Sequence, residues 1–233
     1  GTMHGVWLKP QGGIVWDNVN SINVGVNLFV IPGNKKTLEK VDLTMYYQHH
    51  KGNTLFRVGA FPRKDVLDNY DSSFFRDSVN NYNPTMQGVF WQIGKDRDFI
   101  NAWMDWTGYA SKKTHENFFV GASGKISKGV LFADFQSYMF HRALTKPAIE
   151  GEGVSENLQL QVMAGAEIET KRGFKGLLSA GTLVGYERDR RFDDKLYKPA
   201  GFVARLNAEY HGIGTKNYLY IGDPRMELYK DFG

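Results

Sequence analysis

The chain has 233 residues, a mass of 26.5 kDa and a formal charge of +4, enough for one large domain. It contains no cysteine, which excludes a disulfide framework, a thiolate nucleophile and any cysteine-based metal site. No stretch approaches the roughly 18 consecutive apolar residues of a spanning helix, which excludes helical membrane proteins but not membrane strands, about 9–11 residues long and half polar.

Period-two alternation recurs along the chain and predicts about twelve strands, over 5–15, 20–31, 41–47, 55–61, 86–93, 98–108, 116–123, 129–140, 158–169, 174–187, 201–211 and 216–222. In 20–31, Ile22, Val24, Val26, Leu28 and Val30 share one face, and Ser21, Asn23, Gly25 and Asn27 the other. The best helical candidate is a short turn over 63–70. Strand 98–108 sets Ile100, Ala102, Met104 and Trp106 against Asn101, Asp105 and Thr107, with Trp103 interrupting the polar side. Strand 129–140 opposes Leu131, Ala133, Phe135 and Met139 to Asp134 and Gln136. Strand 158–169 opposes Leu158, Leu160, Val162 and Ile168 to Gln159, Gln161 and Glu167, and 201–211 opposes Phe202, Ala204, Leu206 and Tyr210 to Arg205, Asn207 and Glu209. The connections alternate in length. Those at 16–19, 48–54, 94–97, 124–128, 170–173 and 212–215 are short, and those at 32–40, 62–85, 109–115, 141–157 and 188–200 are longer. In a meander this puts all tight turns at one end and all long loops at the other, as in outer-membrane barrels.

The mid-strand polar residues cannot enter a dry core without a cost of several kcal/mol for each unpaired group, so their face meets water. The expected lumen set is Asp42, Arg57, Gln92, Asn101, Asp105, Asp134, Gln136, Gln161, Glu167, Arg205 and Glu209. The expected lipid-facing set is Ile22, Val24, Val26, Leu28, Leu160, Val162 and Leu206. Aromatic residues gather toward strand ends (Trp16, Phe61, Trp106, Tyr109, Phe118, Phe140, Phe174, Tyr186, Phe202 and Tyr210), which suits an interfacial girdle. The expected fold is all-β, an antiparallel up-and-down (meander) β-barrel of transmembrane type forming a single domain over 1–233. Its rival is a soluble β-sandwich or jelly roll binding glycan through Trp91, Trp103, Trp106 and Tyr109.

Few residues carry catalytic patterns. His49 and His50 would point to opposite faces of a strand and could chelate one ion only from a turn, so no metal site is expected. A rim-active lipid hydrolase would draw on Ser137 and His141, which share a face without being adjacent. Asp134 and His141 are seven residues apart, too far for a general-base pair. Asp42, Asp105, Asp134, Glu167 and Glu209 suggest either paired carboxylates for glycoside hydrolysis or a ladder with Arg57, Arg205 and Lys175. The Gly-Lys of 121–125 lacks the length of a phosphate-binding loop and reads as a hairpin turn. Lys35, Lys36, Arg63, Lys64, Arg76, Lys112, Lys113, Arg188, Arg190 and Arg191 lie at the long-loop rim, where lipid phosphate is available. Other basic residues lie at the opposite end, so no single stripe fits nucleic acid.

The stretches 56–64 (FRVGAFPRK), 88–92 (GVFWQ) and 133–141 (ADFQSYMFH) resemble an uncharacterised porin-like family of Gram-negative outer-membrane barrels. The resemblance implies a barrel in the bacterial outer membrane and no known substrate or catalytic residue. Members look longer at the C-terminus, with further strands. The resulting expectation is a porin-like barrel, not an enzyme, that passes or binds small polar solutes. The loop 62–85 would form a constriction, and the excess of mid-strand acids predicts mild cation preference. Membrane lipid, lipopolysaccharide included, and small polar solutes are the expected partners, with no cofactor and no nucleic acid. Gly1-Thr2-Met3 reads as a cloning scar.

Overall fold

The computed structural model describes residues 5–33, 36, 38–75, 79 and 83–224. Expectations that rest on residues 1–3, 227–233, Lys35 and Arg76 lie outside the described residues. The chain forms one antiparallel meander of strands β1 (Val6–Leu8), β2 (Gln11–Trp16), β3 (Asn20–Val30), β4 (Leu38–Lys51), β5 (Thr54–Pro62), β6 (Thr85–Lys95), β7 (Asp98–Gly108), β8 (Asn117–Lys128), β9 (Leu131–Arg142), β10 (Ser155–Glu169), β11 (Phe174–Asp189), β12 (Ala200–Tyr210) and β13 (Ile213–Gly222). A four-residue helix, α1 (Lys64–Leu67), lies between β5 and β6.

This is the expected up-and-down β architecture, and it overturns the sandwich, which needs a second sheet. There are thirteen strands because the segment 5–15 breaks into β1 and β2 around Lys9-Pro10. Proline cannot donate to the ladder, and the two halves pair with opposite ends of β3. Two further differences concern turns. Residues 121–125 lie inside β8, and the hairpin follows at Gly129-Val130, where Gly129 takes φ +63°. His49 and His50 lie inside β4, whose hairpin follows at Gly52-Asn53, with Gly52 at φ +59°. Both glycines occupy the left-handed region that a two-residue hairpin requires. Connections after β2, β4, β6, β8, β10 and β12 span two to four residues, whereas those after β3, β5, β7, β9 and β11 span seven to twenty-two.

The described residues fall into two compact units, 5–93 with 103–105 and 94–102 with 106–224. In each, the sheet buries its polar-patterned face and exposes its aliphatic one. In the first unit, Asn27 and Thr44 are buried while Ile22, Val24 and Leu43 are exposed. In the second, Gln159 and Gln161 are 0% exposed, whereas Val162, Ile126, Leu178 and Leu206 are 46–70% exposed. Burial of amides beside exposed leucines inverts the soluble pattern and is the arrangement of a membrane barrel wall.

Curvature explains how a single sheet buries one face. In the second unit, Tyr218 on β13 donates to Gln161 Oε1 on β10 at 2.8 Å. These strands are three steps apart, roughly 14 Å in a flat sheet. Arg205 on β12 likewise pairs with Asp134 on β9. In the first unit, Asn27 on β3 donates to Thr85 on β6 at 2.8 Å. Each unit therefore curls with its polar face concave.

The aromatic residues divide between the two faces. Trp16, Trp106, Tyr109, Tyr186, Phe202 and Tyr210 are exposed, as a girdle requires. Phe61 and Phe140, expected in that girdle, are instead buried on the concave side, at 0% and 1% exposure. Both sit one residue out of phase with the exposed face, so strand-end position alone misassigned them.

Candidate functional site

The expected lumen residues lie on the concave, polar-patterned face, where most of the charged ones are paired. In the first unit Asp42 pairs with Lys40 at 3.3 Å, and Arg57 bonds both Gln48 and Asp65 at 2.8 Å. Gln92 is half-buried on β6. Asp105 faces Arg63, which opens the long connection, at 2.5 Å; both are almost fully buried. The Arg63 guanidinium also donates to the carbonyls of Asn83 at 2.7 Å and Thr85 at 3.2 Å, and the Gln87 amide donates to Asp105 at 2.8 Å. One arginine thus ties both ends of the 63–84 connection to β7. Deeper in that connection, Tyr70 accepts from the Trp103 indole at 3.0 Å, and Val66, Leu67 and Phe74 are buried. Trp103, which breaks the polar alternation, is therefore a packing partner for this folded-in loop, not a glycan platform.

In the second unit Asn101 accepts from the Ser123 hydroxyl at 3.0 Å, and Gln136 is buried. Glu167 joins Lys125 at 2.6 Å and also Arg97, and the Arg205–Asp134 pair extends to Ser179 at 3.0 Å. Glu209 is exposed near the β12–β13 turn. The carboxylates Asp42, Asp105, Asp134 and Glu167 are thus each paired with a cation, as a ladder and not as carboxylate dyads. Lys175, a proposed rung, pairs instead with Glu169 at 3.5 Å. Buried Phe119, Tyr138 and Phe140 pack beside the buried amides, with the Phe119 and Phe140 rings 4.5 Å apart.

The expected lipid-facing residues are all on the opposite face. Ile22, Val24, Val162 and Leu206 are exposed there, and Val26, Leu28 and Leu160 are half-exposed. Ser137 and His141 also point outward from β9, since Gln136, Tyr138 and Phe140 point inward. They are four positions apart along the strand, roughly 13 Å. The Ser137 hydroxyl donates to the Ala122 carbonyl at 3.2 Å, so the two do not form a nucleophile–base pair.

His141 faces a different residue across the ladder, with which it shares register and no side-chain hydrogen bond. Its direct register neighbour on β10 is Glu156, and the neighbour of Glu156 on β11 is Arg188. All three lie on the outward face at the long-connection end. Directly opposed side chains stand with Cβ atoms about 4.5–5.5 Å apart, which lets an imidazole and a carboxylate meet. On its other side His141 packs against the Phe118 ring at 5.1 Å, and Phe118 packs against Trp106 at 5.6 Å. Arg190 approaches Glu156 at 3.8 Å. A row of aromatic, imidazole, carboxylate and guanidinium groups thus crosses the outer wall.

A second His–Glu pair occupies the connections above it. His115 Nδ1 lies 2.9 Å from the Ala143 carbonyl, and its Nε2 is 3.8 Å from Glu152. Glu152 accepts from the Thr145 hydroxyl at 2.7 Å and from the Thr145 and Ile149 amides at 3.0 and 3.2 Å. Burial alone would raise the Glu152 pKa, but the bonds from Thr145 and Ile149 and the nearby His115 outweigh it and hold the carboxyl below its ordinary value. The carboxylate sits between hydroxyl and imidazole, so His115 does not reach Thr145 directly; this cluster ties loops together.

His49 and His50 point to opposite faces of β4, and His49 contacts Asn20 at 2.9 Å. Among the described residues, no three His, Asp or Glu side chains gather in a way that would hold a metal ion. The opposition of His141 and Glu156 escaped the sequence because its signal is the register between two strands joined by a twelve-residue connection.

No curated protein and no solved structure matches the chain. A model of the lipid A 3'-O-deacylase-type family matches residues 1–228, nearly the whole chain. This match, to an outer-membrane type of family named for an enzymatic activity, overturns the expectation of a non-enzyme. The sequence holds no contiguous catalytic motif, and a site assembled across neighbouring strands needs none.

Proposed function

The chain belongs to the lipid A 3'-O-deacylase-type family, and from that premise we propose that it hydrolyses an ester-linked acyl chain of lipid A in the bacterial outer membrane. The observation that carries this reading is the direct opposition of His141 and Glu156 on the outward face, at the end bearing the long connections. A base placed there meets a lipid held in the leaflet and not a solute in the interior. In the proposed step, Glu156 orients the imidazole and His141 takes a proton from water. The hydroxide adds to the acyl carbonyl carbon, the carbon–oxygen ester bond breaks, and the proton passes to the departing sugar oxygen. The products are a free fatty acid and a lipid with one hydroxyl restored. Ser137 has no part in this route.

A porin-like passage of small solutes has less support. The described residues of the 63–84 connection pack onto the concave face, aromatic rings lie there, and Asp42, Asp105, Asp134 and Glu167, which were to favour cations, carry counter-ions.

The test is mass spectrometry of lipid A after incubation with the purified protein in mixed micelles. Wild type releases one acyl chain; His141→Ala and Glu156→Gln lower the rate by at least about 100-fold, in keeping with loss of a general base. His115→Ala retains the activity. Full activity in His141→Ala would reject the assignment.

A further inference from the structure

The β11–β12 connection carries a feature that the hydrolytic step does not use. Asp194 Oδ1 receives N–H groups from two arginines at once, Arg188 at 2.6 and 2.8 Å and Arg190 at 3.1 Å. Asp194 is 71% exposed, and among the described residues its side chain bonds these two arginines. Arg188 is the register neighbour of Glu156, and Arg190 lies 3.8 Å from the same carboxylate. The two guanidiniums therefore border the His141–Glu156 pair.

Exposed apolar residues stand among the charges of this connection and on the adjoining end of β11. Phe192 is 84% exposed, Leu196 44% and Tyr186 46%, and Lys198 lies over the Tyr186 ring at 5.8 Å. A charged segment with a basic excess and exposed Phe192, Leu196 and Tyr186 suits the boundary between acyl chains and headgroups. A carboxylate bridging two arginines there is a weak occupant. A phosphate monoester offers three oxygens and nearly two charges, and guanidinium forks match its geometry.

We propose that Arg188 and Arg190 form a recognition site for a phosphate monoester on the lipid headgroup, and that Asp194 is a placeholder which the phosphate displaces. The proposal deepens the deacylase reading, since it places the headgroup beside the base that cleaves the chain. Hydrogen bonding from Arg188, partly opposed by burial, keeps the Asp194 carboxyl below its ordinary pKa, so the placeholder is charged whenever the site is empty at neutral pH.

The experiment measures binding apart from hydrolysis. Vesicles of phosphatidylcholine containing either phosphorylated or enzymatically dephosphorylated lipid A are titrated against the detergent-purified His141→Ala protein; an ether-linked, non-hydrolysable analogue serves for wild type. The double variant R188Q/R190Q should lose about tenfold in affinity for the phosphorylated lipid and none for the dephosphorylated one. Asp194→Asn should bind the phosphorylated lipid more tightly than the parent. Equal losses on both lipids, or no loss, would overturn the proposal. Inorganic phosphate identifies the source: competition only far above lipid concentrations is expected, whereas equal competition would overturn the headgroup assignment in favour of a free-anion site. Should deacylation survive in His141→Ala while phosphate preference still follows the arginines, the catalytic assignment falls and the phosphate site stands.

Discussion

Replacing Asp105 by Ala strands Arg63 in the folded-in connection of the first unit. The guanidinium is 2% exposed and its carboxylate partner 1%, so water cannot take over the lost contact. Breaking one side of such a pair costs about 3–5 kcal/mol, because a buried charge remains without its counter-ion. Arg63 would keep only the carbonyls of Asn83 and Thr85, at 2.7 and 3.2 Å, which offset part of that loss. Replacing both partners by apolar residues of similar volume should cost less than Asp105→Ala alone, since no charge is then left behind. The assay is limited proteolysis of the protein in detergent, following cleavage within 63–84 alongside the denaturant midpoint. The expected result is accelerated cleavage in Asp105→Ala, with substantial recovery in R63M/D105L. Cleavage in the single variant no faster than in wild type would refute the idea that this pair latches the loop.

Two further predictions follow from the wall and the rim. Val162→Arg places a charge on the exposed aliphatic face and should lower folding stability in lipid vesicles by about 2–4 kcal/mol if the position is near mid-bilayer. Ala164→Val, an apolar change on the same face, should leave stability nearly unchanged. The Glu152 tether responds to acid. Its folded pKa lies below the ordinary 4.5, so its stabilisation is complete above that value and disappears as pH falls through the folded pKa. Hydrogen exchange of the Thr145 and Ile149 amides should therefore lose protection, after correction for intrinsic rates, only at a pH below the ordinary glutamate pKa. Glu152→Gln should weaken that protection already at neutral pH.

The architecture was legible because period-two alternation and connection length are local signals. Val162 and Gln161 report opposite faces by adjacency alone, and the seven-to-twenty-two-residue connections separate from the tight turns by counting. Turn positions were less legible. The run at 121–125 looks like a hairpin because it holds two glycines, yet the ladder continues through it to Lys128. Trp103 looked like a flaw in its strand because the ring that receives it, Tyr70, lies thirty-three residues away. The candidate site was the least legible part. Sequence spacing joined His141 to Ser137 on the same strand, whereas its neighbour across the ladder is Glu156. Lateral pairing, not spacing along the chain, decides what an outward side chain meets, and alternation carries no information about register.

The absence of cysteine makes the central claim directly measurable, since each introduced cysteine is unique. Nitroxide labels at positions 24, 162 and 206, and separately at 101, 161 and 179, can be compared for collision with oxygen and with a water-soluble nickel chelate in reconstituted bilayers. With the aliphatic face in lipid, the first three labels collide with oxygen and are shielded from nickel, and the second three show a lower ratio of oxygen to nickel accessibility. Oxygen preference at 101, 161 and 179, with nickel access at 24, 162 and 206, would contradict the account.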